Sequence, residues 1–233
     1  MTKTADVIIP VYNERENLQP LLQRLSALPV FDALHLIFVD NASTDGSADF
    51  LAAVQNISLV RHGSNRGYGA SLRSGMAAAI TDRWLVLDAD GEYPPECIPD
   101  LLMALEKSQA VYASRLLGKS SAVSAGMPWF KWLGNKIISG LFNVLFRQQV
   151  TDLYTGCKAL RRESMQGIYL QRDGFEQVLE LAVGLAQRDI VIAEVPVNFS
   201  PRQCGASKMS HGAETLKFIF WLLFYRLRKR PNE

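Results

Sequence analysis

This chain of 233 residues is poor in several things, and each shortage removes a class of protein. Cysteine is scarce. Cys97, Cys157 and Cys204 are far apart, odd in number and without metal-ligand spacing, which argues against a disulfide framework and fits a reducing compartment. Neither charge sign dominates: the net charge is +2, so nothing in the balance points to nucleic acid. Repeats and low-complexity stretches are missing. The start, Met1-Thr2-Lys3-Thr4, runs straight into a strand-like segment without a signal-peptide pattern, which sets a cytoplasmic expectation. Long apolar runs are missing too. The most apolar stretch, residues 216–225, has an uninterrupted core of roughly eight residues against the ~20 needed to span a bilayer.

What is present is a globular composition, 48% hydrophobic, in a chain long enough to bury a substantial core. The first half alternates strand-like and helix-like segments. Asp6-Val7-Ile8-Ile9-Pro10-Val11, residues 34–39, 57–60 and 83–87 read as strands, and residues 16–28, 47–54, 69–80 and 96–105 as the helices between them. Such alternation predicts an α/β fold with a mostly parallel sheet flanked by helices. Further on, residues 129–146 read as an apolar helix, 157–161 as a strand, 175–186 as a helix and 190–197 as a strand. Residues 200–210 carry Gly and Lys and read as a lid-like loop.

The chemistry sits where strands should end. Trp84-Leu85-Val86-Leu87 runs directly into Asp88-Ala89-Asp90, and a parallel sheet delivers such carboxylates to its carboxyl edge, where open α/β folds bind ligands. Two oxygens from so short a segment suit a divalent ion that also takes phosphate oxygens from a substrate. Tyr12-Asn13-Glu14, Asp40-Asn41 and the Arg115 that follows Val111-Tyr112-Ala113 fall at the same edge.

Together the runs Ile8-Ile9-Pro10-Val11-Tyr12-Asn13-Glu14, Val39-Asp40-Asn41-Ala42-Ser43-Thr44-Asp45-Gly46, Asn65-Arg66-Gly67-Tyr68-Gly69 and Asp88-Ala89-Asp90 resemble the family 2 glycosyltransferases of GT-A fold, in the family's order. Asp152-Leu153-Tyr154-Thr155-Gly156-Cys157-Lys158 and the stretch from Glu194-Val195-Pro196 to Arg202-Gln203-Cys204-Gly205-Ala206-Ser207-Lys208 look like the dolichol-phosphate mannose synthase branch. The resemblance implies a catalytic domain over residues 1–211 and an amphipathic membrane-interface helix with a basic tail over 212–233. It implies that Pro10, Tyr12 and Glu14 line the base and ribose, that Asp40 reads the base, and that Arg66 and Ala89 join the donor-binding set. Asp88 and Asp90 would meet the donor diphosphate through Mg²⁺ or Mn²⁺. The family often continues Asp-Ala-Asp with Leu-Gln; here Gly91-Glu92 follows, and Glu92 reads as a further metal ligand or as a solvated loop residue.

Arg115, Arg202 and Lys208 are the expected phosphate holders, and Asp88, Asp90, Asp152 and Arg202 are the expected catalytic residues. Asp152 is the expected acceptor-side carboxylate. A sugar hydroxyl would need it as a general base, whereas a phosphate acceptor, already ionised, would leave it to orient a basic residue. Glu176 and Glu180 read as solvated, capping or site residues, and His211 as structural or as a late metal ligand. The implied activity is inverting transfer of a sugar, mannose favoured, from a nucleotide diphosphate to a polyprenyl or dolichyl phosphate at the cytosolic face of a membrane. UDP-glucose or another donor, a saccharide acceptor, and a non-catalytic nucleotide-sugar-binding module are the alternatives. The stretch 216–225 with its basic tail reads as an interfacial helix or a buried one, and Trp129-Phe130-Lys131-Trp132-Leu133 as a second membrane contact.

Overall fold

The computed structural model describes residues 2–117, 126–202, 204 and 211–227, the side chains of 211–216 excepted. The chain order is β1 (Ala5–Val11), α1 (Arg15–Ser26), β2 (Leu34–Asp40), α2 (Ser47–Ala52), β3 (Ser58–Arg61), α3 (Tyr68–Ala78), β4 (Arg83–Leu87), α4 (Ile98–Leu105), β5 (Ala110–Ser114), α5 (Trp129–Phe146), β6 (Cys157–Arg161), α6 (Gln177–Gln187), β7 (Ile192–Pro196) and α7 (His211–Leu227). One seven-stranded sheet takes the order β3-β2-β1-β4-β6-β5-β7.

The pairings β1·β2, β1·β4, β2·β3 and β5·β7 are parallel, whereas β6 enters antiparallel between β4 and β5. The sheet is therefore mixed but mostly parallel, as the alternation of elements predicts. Because β5 runs antiparallel to β6, it points the same way as β4, and the carboxyl ends of β1, β2, β4 and β5 share one edge. The inserted β6 brings its amino end, and the loop Asp152-Leu153-Tyr154-Thr155-Gly156 before it, to that same edge.

Both faces are covered, which is why β1, β2 and β4 read as nearly continuous apolar runs. One apolar layer joins Leu18, Leu21 and Leu25 of α1 and Ile98, Leu101 and Leu105 of α4 to the sheet. Another gathers Ile138 and Phe142 of α5, Leu179, Leu181 and Leu185 of α6, and Phe218, Leu222 and Tyr225 of α7. Thus one stripe of α7 is core. Its other side leaves Phe220, Leu223, Phe224 and Leu227 exposed, and α5 likewise exposes Trp129, Phe130, Leu133 and Ile137. No helix among the described residues is long and apolar enough to cross a membrane. The cysteines are not all apart in space: the free thiols Cys97 and Cys157 lie with their Sγ atoms 3.6 Å from each other in the core.

Candidate active site at the carboxyl edge of the sheet

A cleft of about 380 Å³ opens along the carboxyl edge. Pro10, Tyr12 and Glu14 line it from the end of β1, Asp88, Ala89, Asp90 and Glu92 from the end of β4, Arg115 from the end of β5, and Arg202 from the segment after β7. Eight of the residues expected from the sequence as donor, metal or phosphate contacts therefore meet in one cavity, together with Ala89.

The floor is Asp88. Its Oδ1 accepts the Tyr68 hydroxyl at 2.9 Å, and its backbone N–H bonds to the Gly156 carbonyl at 3.2 Å. A Cβ at residue 156 would collide with the Asp88 carboxylate, so glycine there is a packing requirement. Burial, and then the charge of Asp90, push the Asp88 carboxyl up to about 7. Glu92 is raised for the same two reasons. Beneath them Lys158 of β6 is fully buried, its Nζ 5.1 Å from the centre of the Tyr112 ring, and burial brings it down to about 8.

These carboxylates fit a divalent ion. They are hard oxygen donors, and their mutual repulsion is what a cation would relieve. Among the described residues no three His, Cys, Asp or Glu side chains converge into a ready cage. An ion on Asp88 and Asp90 would therefore keep waters and take oxygens from a phosphate ligand, in the manner of Mg²⁺ or Mn²⁺. Glu92 points instead at Arg115, with Oε2 3.1 Å from Nη1.

Arg115 is held from below. Asp152, fully buried, accepts its backbone N–H (3.0 Å), Nε (2.7 Å) and Nη2 (3.0 Å), and also accepts Asn135 Nδ2 at 2.5 Å. Burial alone would raise Asp152, but the Arg115 guanidinium and these donors hold it below the usual carboxylate range. Four donors saturate a carboxylate. Glu194 of β7 braces the loop by accepting the backbone N–H groups of Thr151 and Asp152. Arg202 bridges the opposite wall, from Glu14 Oε1 (3.0 Å) to Asp90 Oδ2 (2.5 Å).

Other expected residues sit outside the cleft lining. Asp40 is buried at the end of β2, where its carboxylate accepts the Ser43 N–H at 3.3 Å. The Arg66 side chain is exposed, and its amide donates to Asn41 Oδ1. Glu180 accepts the N–H groups of Gln171 and Arg172, and Glu176 meets Lys217 at 3.2 Å. Lys208 and the side chain of His211 lie outside the described residues.

Sequence reasoning did not single out several wall residues. Lys131 and Asn135 of α5, Tyr154 and Phe175 line the cleft, with Tyr68 stacked on Phe175 and Tyr154 stacked on Phe218 of α7. Tyr68 and Tyr154 stood inside the motifs already quoted. Lys131 stood in the aromatic run read as a second membrane contact and Asn135 carries no local signal; only the docking of α5 against the sheet brings them here.

The family model described as Glycosyl transferase family 2 matches residues 6–168. A dolichol-phosphate mannosyltransferase of Mycosarcoma maydis is 31% identical over 242 residues, covering 97% of this chain and 81% of that protein. A polyprenol monophosphomannose synthase of Mycolicibacterium smegmatis is 29% identical, covering 98% and 89%. Among solved structures, glucosyl-3-phosphoglycerate synthase of Mycobacterium tuberculosis, crystallised with Mn²⁺ and UDP, superposes with a TM-score of 0.71 at 20% identity, covering 98% of this chain and 82% of that one.

Proposed function

This chain belongs to glycosyl transferase family 2 and is a glycosyltransferase of GT-A fold; from that premise we propose that it moves a sugar from a nucleotide-diphosphate donor to a polyprenyl phosphate at a membrane surface. The names of its relatives favour mannose. The donor lies along Pro10, Tyr12 and Glu14, with its diphosphate toward Asp88 and Asp90. A divalent ion held by those two aspartates supplies the charge that stabilises the departing diphosphate. Tyr68 keeps the Asp88 carboxylate in place, and Arg202 offers a planar fork to the phosphates on the same side.

The observation that carries the acceptor assignment is the saturation of Asp152. A hydroxyl acceptor needs a base, but Asp152 is consumed in holding Arg115. Among the described residues, each carboxylate lining the cleft, Glu14, Asp88, Asp90 and Glu92, is already in an ion pair or hydrogen bond. A phosphate acceptor requires no base. It requires cations, and Arg115 with Lys131 offers them. Its oxygen attacks the anomeric carbon opposite the diphosphate, inverting the configuration.

The lipid reading rests on what surrounds that end of the cleft. Phe130 lines it, while Trp129, Leu133 and Ile137 on α5 and Phe220, Leu223 and Phe224 on α7 are exposed on two helices that pack against each other. Arg226-Leu227-Arg228-Lys229-Arg230 adds positive charge for an anionic lipid surface at the cytosolic face, with 212–233 as the interfacial element. The test is to incubate purified protein with Mg²⁺, a short polyprenyl phosphate and labelled GDP-mannose or UDP-glucose in parallel. Label entering the organic phase from one donor is the expected result. Transfer only to a saccharide, or donor binding without transfer to any acceptor, overturns the reading.

A further inference from the structure

Arg202 does something that a simple phosphate holder would not need to do. Its fork spans two carboxylates from different strand ends, Nη1 on Glu14 and Nη2 on Asp90. The pairs are shielded: the side chains are 16% exposed for Arg202, 7% for Glu14 and 13% for Asp90. The remaining oxygens are also in use. Glu14 Oε2 accepts Asn17 Nδ2 at 2.6 Å, and Asp90 Oδ1 accepts the Glu92 N–H at 3.0 Å. The backbone leading to Arg202 is tied to the same loop, with Ser200 N–H donating to the Glu92 carbonyl at 3.4 Å.

A guanidinium seated on Asp90 Oδ2 and a divalent ion drawn to the Asp88–Asp90 pair compete, because two cations on one carboxylate repel each other. Yet a planar fork that fits a carboxylate fits two phosphate oxygens equally well. We infer that Arg202 is an exchangeable counter-ion: it guards Asp90 against a free divalent cation and releases that carboxylate when a nucleotide diphosphate arrives with the cation, moving its fork to the diphosphate oxygens. The inference rests on the metal and donor reading above and adds an order to it. Free metal binds weakly, whereas metal with nucleotide binds well, so the carboxylates are loaded only when there is a donor to use.

The test follows Mn²⁺ binding to the EDTA-stripped full chain by electron paramagnetic resonance, first alone and then with GDP or UDP. Without nucleotide, Arg202→Gln is expected to bind Mn²⁺ about tenfold more tightly than wild type, and Arg202→Lys to stay close to wild type. With nucleotide the order reverses, wild type binding the Mn²⁺–nucleotide pair more tightly than Arg202→Gln. Glu14→Gln removes one leg of the bridge and shifts nucleotide-free Mn²⁺ binding in the same direction by a smaller factor, which keeps the test open if Arg202→Gln folds poorly. Unchanged or weaker Mn²⁺ binding by both variants, with wild type still binding Mn²⁺ in the presence of nucleotide, overturns the exchange and leaves the metal site standing. Wild type that binds no Mn²⁺ with either nucleotide overturns both.

Discussion

The two edges of the sheet both carry carboxylates, and they treat them in opposite ways. At the edge where the strands begin, Asp6 is fully buried and accepts from the Ile80 and Thr81 N–H groups, the Thr81 hydroxyl and His35 Nδ1. His35 Nε2 in turn meets the Ser58 hydroxyl at 2.8 Å. At the edge where the strands end, Asp88, Asp90 and Glu92 crowd into a few residues, and burial and mutual repulsion raise Asp88 and Glu92. The first edge holds Asp, His and Ser in hydrogen-bonded sequence, the residue types of a nucleophilic relay, yet none of the three lines the cleft. Among the described residues the second has no such chain. What separates them is how the charge is answered: by fixed N–H, hydroxyl and imidazole donors at the first edge, and at the second by guanidinium groups that also suit phosphate, with Asp88 and Glu92 still raised by burial and repulsion.

The largest effect that sharpens this contrast is expected at Asp90. Replacing it with alanine should lower sugar transfer by about 10³-fold with a much smaller effect on the thermal midpoint, since removing the side chain relieves its repulsion with Asp88 but leaves the Arg202 fork only Glu14 as carboxylate partner. Transfer at wild-type rate would remove Asp90 from the site.

Asp152 is expected to behave as a hybrid of the two edges: at the functional edge, but fully buried and saturated by four donors. Asp152→Ala strands the Arg115 guanidinium above an empty pocket and should cost about 3–5 kcal/mol in urea unfolding. Asp152→Asn keeps the shape and should recover part of that stability, with its residual defect showing in KM for the phosphate acceptor. A bell-shaped rate profile that loses its acidic limb in Asp152→Asn would instead make Asp152 a base.

How much of this was readable beforehand follows from where each feature gets its information. Helix 129–146 and strand 157–161 match α5 and β6 residue for residue, because their apolar periodicity and bounding residues are local. The direction of β6 is not local: Cys157-Lys158-Ala159-Leu160-Arg161 pairs equally well either way, and only its antiparallel slot between β4 and β5 places Gly156 against Asp88. The strand-end carboxylates and Arg115 were legible because parallel strands bring their carboxyl ends together. That Asp152 would be spent on Arg115, or that Tyr154 would rest on Phe218 of α7, depends on contacts between distant segments. So does the meeting of Cys97 with Cys157, which spacing alone had kept apart. Asp40 and Arg66, expected from their motifs as donor contacts, are buried at the end of β2 and exposed, respectively, while their neighbours Asn41, Asn65 and Gly67 line the cleft.

A smaller effect comes from pH. Asp88 titrates near 7 in the folded protein, against an ordinary value of 3.8. Between those values the folded form holds a proton that the unfolded chain has lost, so stability falls as pH rises from about 4 to about 7. For protein stripped of divalent ions, this group should contribute about 3 kcal/mol of lost stability at pH 8 relative to pH 5. Asp88→Asn, still able to accept from Tyr68, should flatten that slope. An unchanged slope would mean that the carboxyl is not the frustrated group of this edge.

The smallest effect belongs to the quiet edge, and it is the one that tests the comparison itself. Ser58→Ala removes the hydroxyl that meets His35 Nε2 and leaves the His35–Asp6 bond at 2.7 Å in place. A single neutral hydrogen bond contributes about 1 kcal/mol. The His35 side chain is 15% exposed, so water can replace the lost partner and the cost should fall at the lower end of that range. Turnover per folded molecule should not change, because the Asp6–His35–Ser58 chain lies at the opposite edge from Asp88 and serves only to join β1, β2 and β3. A loss of transfer without loss of stability would show that the two edges are coupled through the strands. A carboxylate held by fixed donors at one end would then be part of how the crowded ones at the other are held.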